Sequence, residues 1–249
     1  MMEERITARK NPLLQQVRRL LTSRKERRES GLFVADGTKL LEEAAKYAQL
    51  ETVILSDGVQ AQLPDHVRVV RVPEDVMESI SPMQSPQGAL FLCRTPEEKP
   101  FCPQKGMLLL DGIQDPGNLG TILRTADALQ VKVVLLEGCA DPYSHKTVRA
   151  SMGAVFRNPP VQADWEQVKN ACEKAQIPVA VTVLTEDAKD IRRWNLADMA
   201  VVIGSEGQGV RKEILEQAQA QLIIPMNERC ESLNAAVAAT IVLWQMTRL

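Results

Sequence analysis

The sequence predicts an α/β protein whose carboxyl-terminal half holds a mostly parallel sheet, preceded by a smaller α/β domain. Three observations support this. From Met107 onward, short apolar runs rich in Val, Leu and Ile alternate with helix-length segments, the pattern of parallel strands covered on both faces. The 249 residues exceed the commonest size of one domain, and 45% hydrophobic with 25% charged residues is the make-up of an ordinary globular chain. The stretch from Thr95 to Lys105 sets Pro96, Pro100 and Pro103 among charged neighbours, a composition that suits a linker. The domains are accordingly placed at 1–95 and 106–249, with the linker at 96–105.

Each element has a local reason. Asn11-Pro12, followed by Leu13, Leu14, Val17, Leu20 and Leu21 at helical spacing, predicts a capped amphipathic helix with Arg18 and Arg19 on its outer face. A basic turn is expected from Arg24 to Arg28. Leu32 to Ala35 reads as a strand, Gly37 to Ala48 as a helix, Thr52 to Leu55 and Val67 to Val70 as strands, Glu74 to Ile80 as a helix and Gly88 to Cys93 as a strand. In the second domain the strands are Met107 to Leu110, Val131 to Leu136, Val179 to Leu184, Met199 to Ile203 and Leu222 to Ile224. The intervening helices are Leu119 to Leu129, Val148 to Met152, Trp165 to Ala175, Lys212 to Gln219 and Leu233 to Met246. The last is apolar nearly all round, so it belongs in the core or against a partner subunit.

The formal net charge of −2 is unevenly spread, because residues 1–28 contain nine Lys or Arg against three acidic residues. Attraction to a polyanion therefore belongs near the amino terminus, on Arg18, Arg19, Arg24, Lys25, Arg27 and Arg28. The same charges equally suit a solvated helix face. The five cysteines are odd in number and nowhere spaced C-x-x-C, which indicates neither a disulfide framework nor a zinc site and points to a reducing cytoplasm. No metal is expected. Met1 to Val17 lacks the apolar stretch of a signal peptide, and Ala235 to Trp244 falls short of the about 20 apolar residues that span a membrane. His66 and His145 sit in polar loops without Ser-His-Asp spacing and are read as surface residues.

Three segments each follow a strand and open a helix, where unpaired backbone N–H groups and a favourable dipole collect at the carboxyl edge of an α/β sheet. In the first, Asp115-Pro116-Gly117-Asn118 is a turn in which Asn118 can cap the next helix, with Gly120, Thr121 and Arg124 left on an outer face. Arginine near a helix start is poorly placed for the dipole, so beside Gly120 it reads as a group that meets a bound phosphate, although an isolated case would be an ordinary surface residue. The second, Gly204-Ser205-Glu206-Gly207-Gln208-Gly209, has the order G-x-x-G-x-G. This is neither the dinucleotide fingerprint nor a P-loop, and it lets the backbone approach a ligand closely. In the third, Pro225 ends a strand, Ser232 can cap the terminal helix, and Asn234 adds a polar group just inside it.

At these residues the chain resembles the SpoU, or TrmH, family of ribose 2′-O-methyltransferases within the SPOUT superfamily. Asn118 to Arg124, Gly204 to Gly209, and Ile224-Pro225 with Ser232-Leu233-Asn234 match its three signature motifs in order and spacing. Ser151-Met152-Gly153-Ala154 is similar to a stretch usual between the first two. The likeness covers roughly 106–249, and residues 1–95 resemble the small RNA-binding domain, akin to certain ribosomal proteins, that often precedes this catalytic domain.

The resemblance implies a deep trefoil knot in the carboxyl-terminal domain, S-adenosylmethionine bound in that knot, and a homodimer formed through the same domain. By position it implies that Gly204, Ile224 and Leu233 contact the cofactor, with Leu184 joining them. Arg124 is the implied catalytic arginine, and Asn118, Glu206, Ser232 and Asn234 are the polar groups that shape the catalytic site. An arginine is a poor base because its pKa exceeds about 12, so Arg124 is expected to grip an RNA phosphate and orient the 2′-hydroxyl. The implied activity is methylation of structured RNA on the ribose 2′-oxygen, ribosomal RNA being favoured over transfer RNA. A non-catalytic RNA-binding homologue is the alternative, against which intact Arg124, Asn118 and Asn234 argue. A nucleotide-dependent doubly wound enzyme is disfavoured by the glycine order.

Overall fold

The computed structural model describes residues 4–97, 99–185, 187–227 and 229–247. The chain forms two compact units, Met1–Glu97 with Asp141–Arg157, and Glu98–Ala140 with Asn158–Leu249.

The first unit is a five-stranded mixed sheet in the order β1 (Glu4–Arg5), β4 (Arg68–Val72), β3 (Leu50–Ser56), β5 (Ala89–Arg94), β2 (Leu32–Asp36). Helices α1 (Pro12–Thr22), α2 (Arg24–Ser30), α3 (Thr38–Tyr47) and α4 (Glu74–Ile80) join or cover these strands. Alternation along a strand sends neighbouring side chains to opposite faces. Phe33, Ala35 and Phe91 thus enter a core with Leu41 of α3, while Val34, Leu90 and Leu92 enter another with Leu14, Val17 and Leu20 of α1. The cap of α1 is as the sequence predicts: the Asn11 side chain accepts the Leu13 N–H at 2.9 Å, with Pro12 in the first turn. The expected basic turn at Arg24 to Arg28 is instead helix α2, capped by Ser23, whose Oγ accepts the Glu26 N–H at 3.1 Å, and ended by Gly31 at φ 64°. Ser23-x-x-Glu26 is the spacing that favours such a start.

The second unit is a seven-stranded parallel sheet. Its elements run β6 (Met107–Asp111), α5 (Pro116–Ala128), β7 (Val133–Leu135), β8 (Val161–Gln162), α8 (Trp165–Lys174), β9 (Val179–Thr182), β10 (Lys189–Asp190), β11 (Ala200–Gly204), α9 (Lys212–Gln217), β12 (Ala220–Ile223) and α10 (Ala235–Met246). The spatial order is β10-β12-β9-β11-β6-β7-β8. One face packs Leu108, Leu110, Val201 and Ile203 against α5 and α10, and the other packs Met107, Leu109, Val181 and Val202 against α8 and α9. Burial on both faces explains why these strands read as continuous apolar runs. Helix α10 buries Ala235, Ala239, Val242 and Leu243 in this core, yet Val237 and Trp244 are 48% and 63% exposed.

Between β7 and β8 the chain leaves this unit. Helices α6 (His145–Ser151) and α7 (Ala154–Arg157) belong with the first unit, where Tyr143, Val148, Val155 and Phe156 enter the core around Phe33. The Phe33 ring lies 5.0 Å from that of Tyr143 and 6.2 Å from that of Phe156. Residues 141–157, which the sequence reading places with 106–249, pack with the first unit. Their apolar residues cover the face of β2 that α3 alone leaves incomplete. Among the described residues, no helix is long and apolar enough to cross a membrane.

Candidate functional site

The strands β12, β9, β11 and β6 are consecutive neighbours running parallel, so the loops leaving their carboxyl ends open on one edge of the sheet. Open α/β sheets hold ligands at that edge. The segment after β6 leads into α5, that after β11 is Ser205 to Arg211, that after β12 is Ile224 to Asn234, and β9 continues into Val183 and Leu184.

Asp115, not Asn118, caps α5: its Oδ1 accepts the Asn118 N–H at 2.7 Å, and Pro116 takes the first helical position. Proline is pre-set for that place because its missing N–H would have no helical partner. The Asn118 side chain is thereby available to other partners, and its Nδ2 donates to Glu206 Oε1 of the β11 loop. Asn118 Oδ1 accepts from Asn234 Nδ2 at 3.0 Å, and the Ala235 N–H donates to Glu206 Oε1 at 3.4 Å. Asn234, not Ser232, caps α10, with its Oδ1 accepting the Ala236 and Val237 N–H groups at 2.9 and 3.2 Å. One residue from each of the three segments thus joins a single hydrogen-bonded chain. The acceptor oxygen of Asn118 and its donor nitrogen are both committed, which fixes the amide orientation.

Beside this chain lies a cavity of about 380 Å³, within the range of small-molecule sites. Its walls include Leu184, Gly204, Glu206, Ile224, Ser232 and Leu233, together with Ile203, Val183 and Ala238. An apolar enclosure crossed by glycine backbone suits an adenosine-like group, and the Glu206 carboxylate at its wall suits a cationic centre. Gly204 has no alternative at its position, since a Cβ there would run into the backbone of Gly209 and Val210. Within the loop the Gly209 N–H donates to the Ser205 carbonyl at 2.9 Å, and Gly209 adopts φ 68°, a conformation open to glycine.

Arg124 is exposed on α5, on the same outer stripe as Thr121, and neither lines the cavity nor joins the Asn118–Glu206–Asn234 chain. In the first unit, Arg19, Arg24, Lys25 and Arg28 are exposed and Arg18 is half-buried. Arg18 donates to the Arg9 carbonyl at 2.9 Å and to Ser79 Oγ at 3.2 Å, Arg19 pairs with Glu26 at 3.2 Å, and Lys25 with Glu29 at 3.7 Å. Arg27 is corrected as a polyanion contact. Its side chain is 9% exposed, its Nε donates to Asp141 Oδ2 at 2.7 Å, and it also donates to the Leu20 carbonyl. Helix α2 turns this one arginine inward while its neighbours face solvent.

Sequence reasoning passes over Asp111, Glu137 and Arg211. Arg211 follows the glycine loop, and Asp111 and Glu137 each precede a glycine just after an apolar run. That repeated acid-glycine pair is the signal by which they can be found.

Comparison with known proteins decides the family. The model described as the SpoU rRNA Methylase family matches residues 105–244. The chain belongs to the SpoU rRNA methylase family. A second model, the MRM3-like substrate binding domain, matches residues 11–90. Among SpoU relatives, the chain is 33% identical over 230 residues to the 23S rRNA (guanosine(2553)-2′-O)-methyltransferase RlmP of Bacillus subtilis, covering 91% of this chain and 92% of that one. It is 29% identical to the 23S rRNA (uridine(2479)-2′-O)-methyltransferase of Streptomyces viridochromogenes, covering 98% and 92%. The AdoMet-bound rRNA methyltransferase of Sinorhizobium meliloti superposes with a TM-score of 0.86 at 30% identity, covering 98% of this chain and 97% of that one.

Proposed function

We propose that this SpoU protein is an S-adenosylmethionine-dependent RNA ribose 2′-O-methyltransferase acting on ribosomal RNA. The observation that carries the reading is the cavity formed where the three motif segments meet, with Asn118, Glu206 and Asn234 bonded together at its side. Gly204, Ile224, Leu233 and Leu184 would hold S-adenosylmethionine, which when bound supplies an electrophilic methyl group. Asn118 and Asn234 keep Glu206 in place, and Ser232 adds a hydroxyl to the cavity wall. Arg124, being always charged and standing outside the cavity, grips the phosphate next to the target ribose and so orients the 2′-hydroxyl. Correct positioning of that kind can lower a barrier by about 7 to 11 kcal/mol.

Arg18, Arg19, Arg24, Lys25 and Arg28 of the amino-terminal unit supply a salt-dependent hold on structured RNA. The rRNA named for the relatives, rather than tRNA, supports ribosomal RNA as substrate. The cytoplasm, where thiols stay reduced, suits five free cysteines. The trefoil knot implied by the motifs belongs to the same reading. The test is incubation with labelled S-adenosylmethionine and separate rRNA and tRNA fractions, followed by mapping of the modified ribose. Label on a 2′-oxygen of rRNA is expected, and label confined to tRNA or to no RNA would reject the proposal.

The protein is further proposed to be a homodimer through α10. Val237, Ile241 and Trp244 recur at i, i+4 and i+7, and two of them are strongly exposed, an apolar stripe that a second copy would cover. Light scattering should give a dimer mass for the native chain and a monomer mass for Trp244→Glu. A native monomer at micromolar concentration would refute the assignment.

A further inference from the structure

Seven consecutive residues, Gly204 to Val210, line the cavity, and Glu206 to Gly209 are exposed. A loop so exposed and so rich in glycine loses much entropy on ordering. Something must hold it. Its first residue, Gly204, is held in the sheet opposite Asp111. Immediately after its last, the Arg211 backbone N–H donates to Asp111 Oδ2 at 2.8 Å and the Arg211 Nε donates to Asp111 Oδ1 at 2.7 Å. One strand residue therefore tethers both ends of the loop. Asp111 is 1% exposed, so its charge requires the partner that Arg211 provides. The guanidinium then reaches on, with Nη2 donating to Glu137 Oε2 at 2.5 Å beyond β7. Burial opposes ionisation of Glu137, but hydrogen bonds from its own backbone and from Arg211 outweigh it and hold the carboxyl below its usual range.

We propose that Arg211 is a positioning residue for methyl-donor binding: by bridging Asp111 and Glu137 it fixes the glycine loop in the shape that receives S-adenosylmethionine. Arg211 does not line that cavity and acts through Gly204 to Val210. The inference rests on the S-adenosylmethionine reading, and deepens it. Preorganisation of this kind acts on affinity by removing an ordering cost from binding.

The test is calorimetric titration of S-adenosylmethionine into the native chain, Arg211→Ala, Arg211→Lys and Glu137→Gln, with steady-state kinetics beside it. Arg211→Ala should raise the Kd and the KM for the donor about tenfold or more while kcat at saturating donor stays within about threefold. Arg211→Lys, which can keep the Asp111 pair, should recover part of the loss. Glu137→Gln, at a half-exposed position that folding tolerates, should move KM in the same direction by a smaller factor. Loop amides should exchange hydrogen faster in Arg211→Ala than in the native chain. A role confined to stability would lower Tm and leave KM unchanged well below the transition. A donor Kd within about twofold of native in both Arg211→Ala and Glu137→Gln would overturn the proposal. Failure of the native chain to bind S-adenosylmethionine would instead reject the cofactor reading.

Discussion

Arg124→Ala is expected to lower methyl transfer to RNA by about 100- to 1,000-fold, the size of effect seen when a single charge-stabilising group is removed from an active site. S-Adenosylmethionine affinity should stay at the native value, because Arg124 stands outside the walls of the donor cavity. The split between the two measurements is what distinguishes a group that meets RNA from one that meets the donor. Arg124→Lys should recover little of the rate, since an ammonium cannot engage phosphate through two parallel N–H groups. Turnover retained in Arg124→Ala would remove this residue from the mechanism and shift attention to Glu206 and Asn234.

The second large effect is on stability. Asp141→Ala is expected to destabilise the first unit by about 3 to 5 kcal/mol, the usual cost of leaving one member of a buried ion pair without its partner. The side chains of Arg27 and Asp141 are 9% and 12% exposed, and the Arg27 guanidinium also donates to the Leu20 carbonyl. Asp141 Oδ1 also accepts the Tyr143 N–H at 2.8 Å, so the substitution loosens the segment that brings Tyr143 and Phe156 against Phe33. Replacing both Arg27 and Asp141 by leucine should recover most of the loss, because paired removal leaves no buried charge. The check is denaturant unfolding followed by near-ultraviolet signals from the first unit. A change under about 1 kcal/mol, typical of exposed pairs, would show that the pair is solvated.

Particular residues show which features are legible in the chain. Asn11-Pro12 and its apolar spacing locate α1, and Glu74 to Ile80 agrees with α4 at both ends, because caps and periodicity act within a few residues. Caps are misassigned where two candidates stand close together. Asp115 prevails over Asn118 because Pro116 then occupies the first turn, and Asn234 prevails over Ser232 because it stands directly before Ala235. Arg27 reads with its basic neighbours, since nothing local distinguishes the one side chain that faces inward. The helix expected at Val148 to Met152 has the same local signal whichever core it covers.

Sequence alone determined the longer strands and most of the longer helices, the three segments at the carboxyl edge of the sheet and the glycine-rich loop that opens with Gly204, features whose causes lie within a few residues. It did not show helix α2 or the two-residue strands β1, β8 and β10. Tertiary structure decided which side chains meet: Asn118 with Glu206 and Asn234, Arg27 with Asp141, and Arg211 with Asp111 across 100 residues of chain. The physical reason is range. Backbone propensity and capping are local, whereas burial of a charge and the partner that neutralises it depend on how distant segments pack.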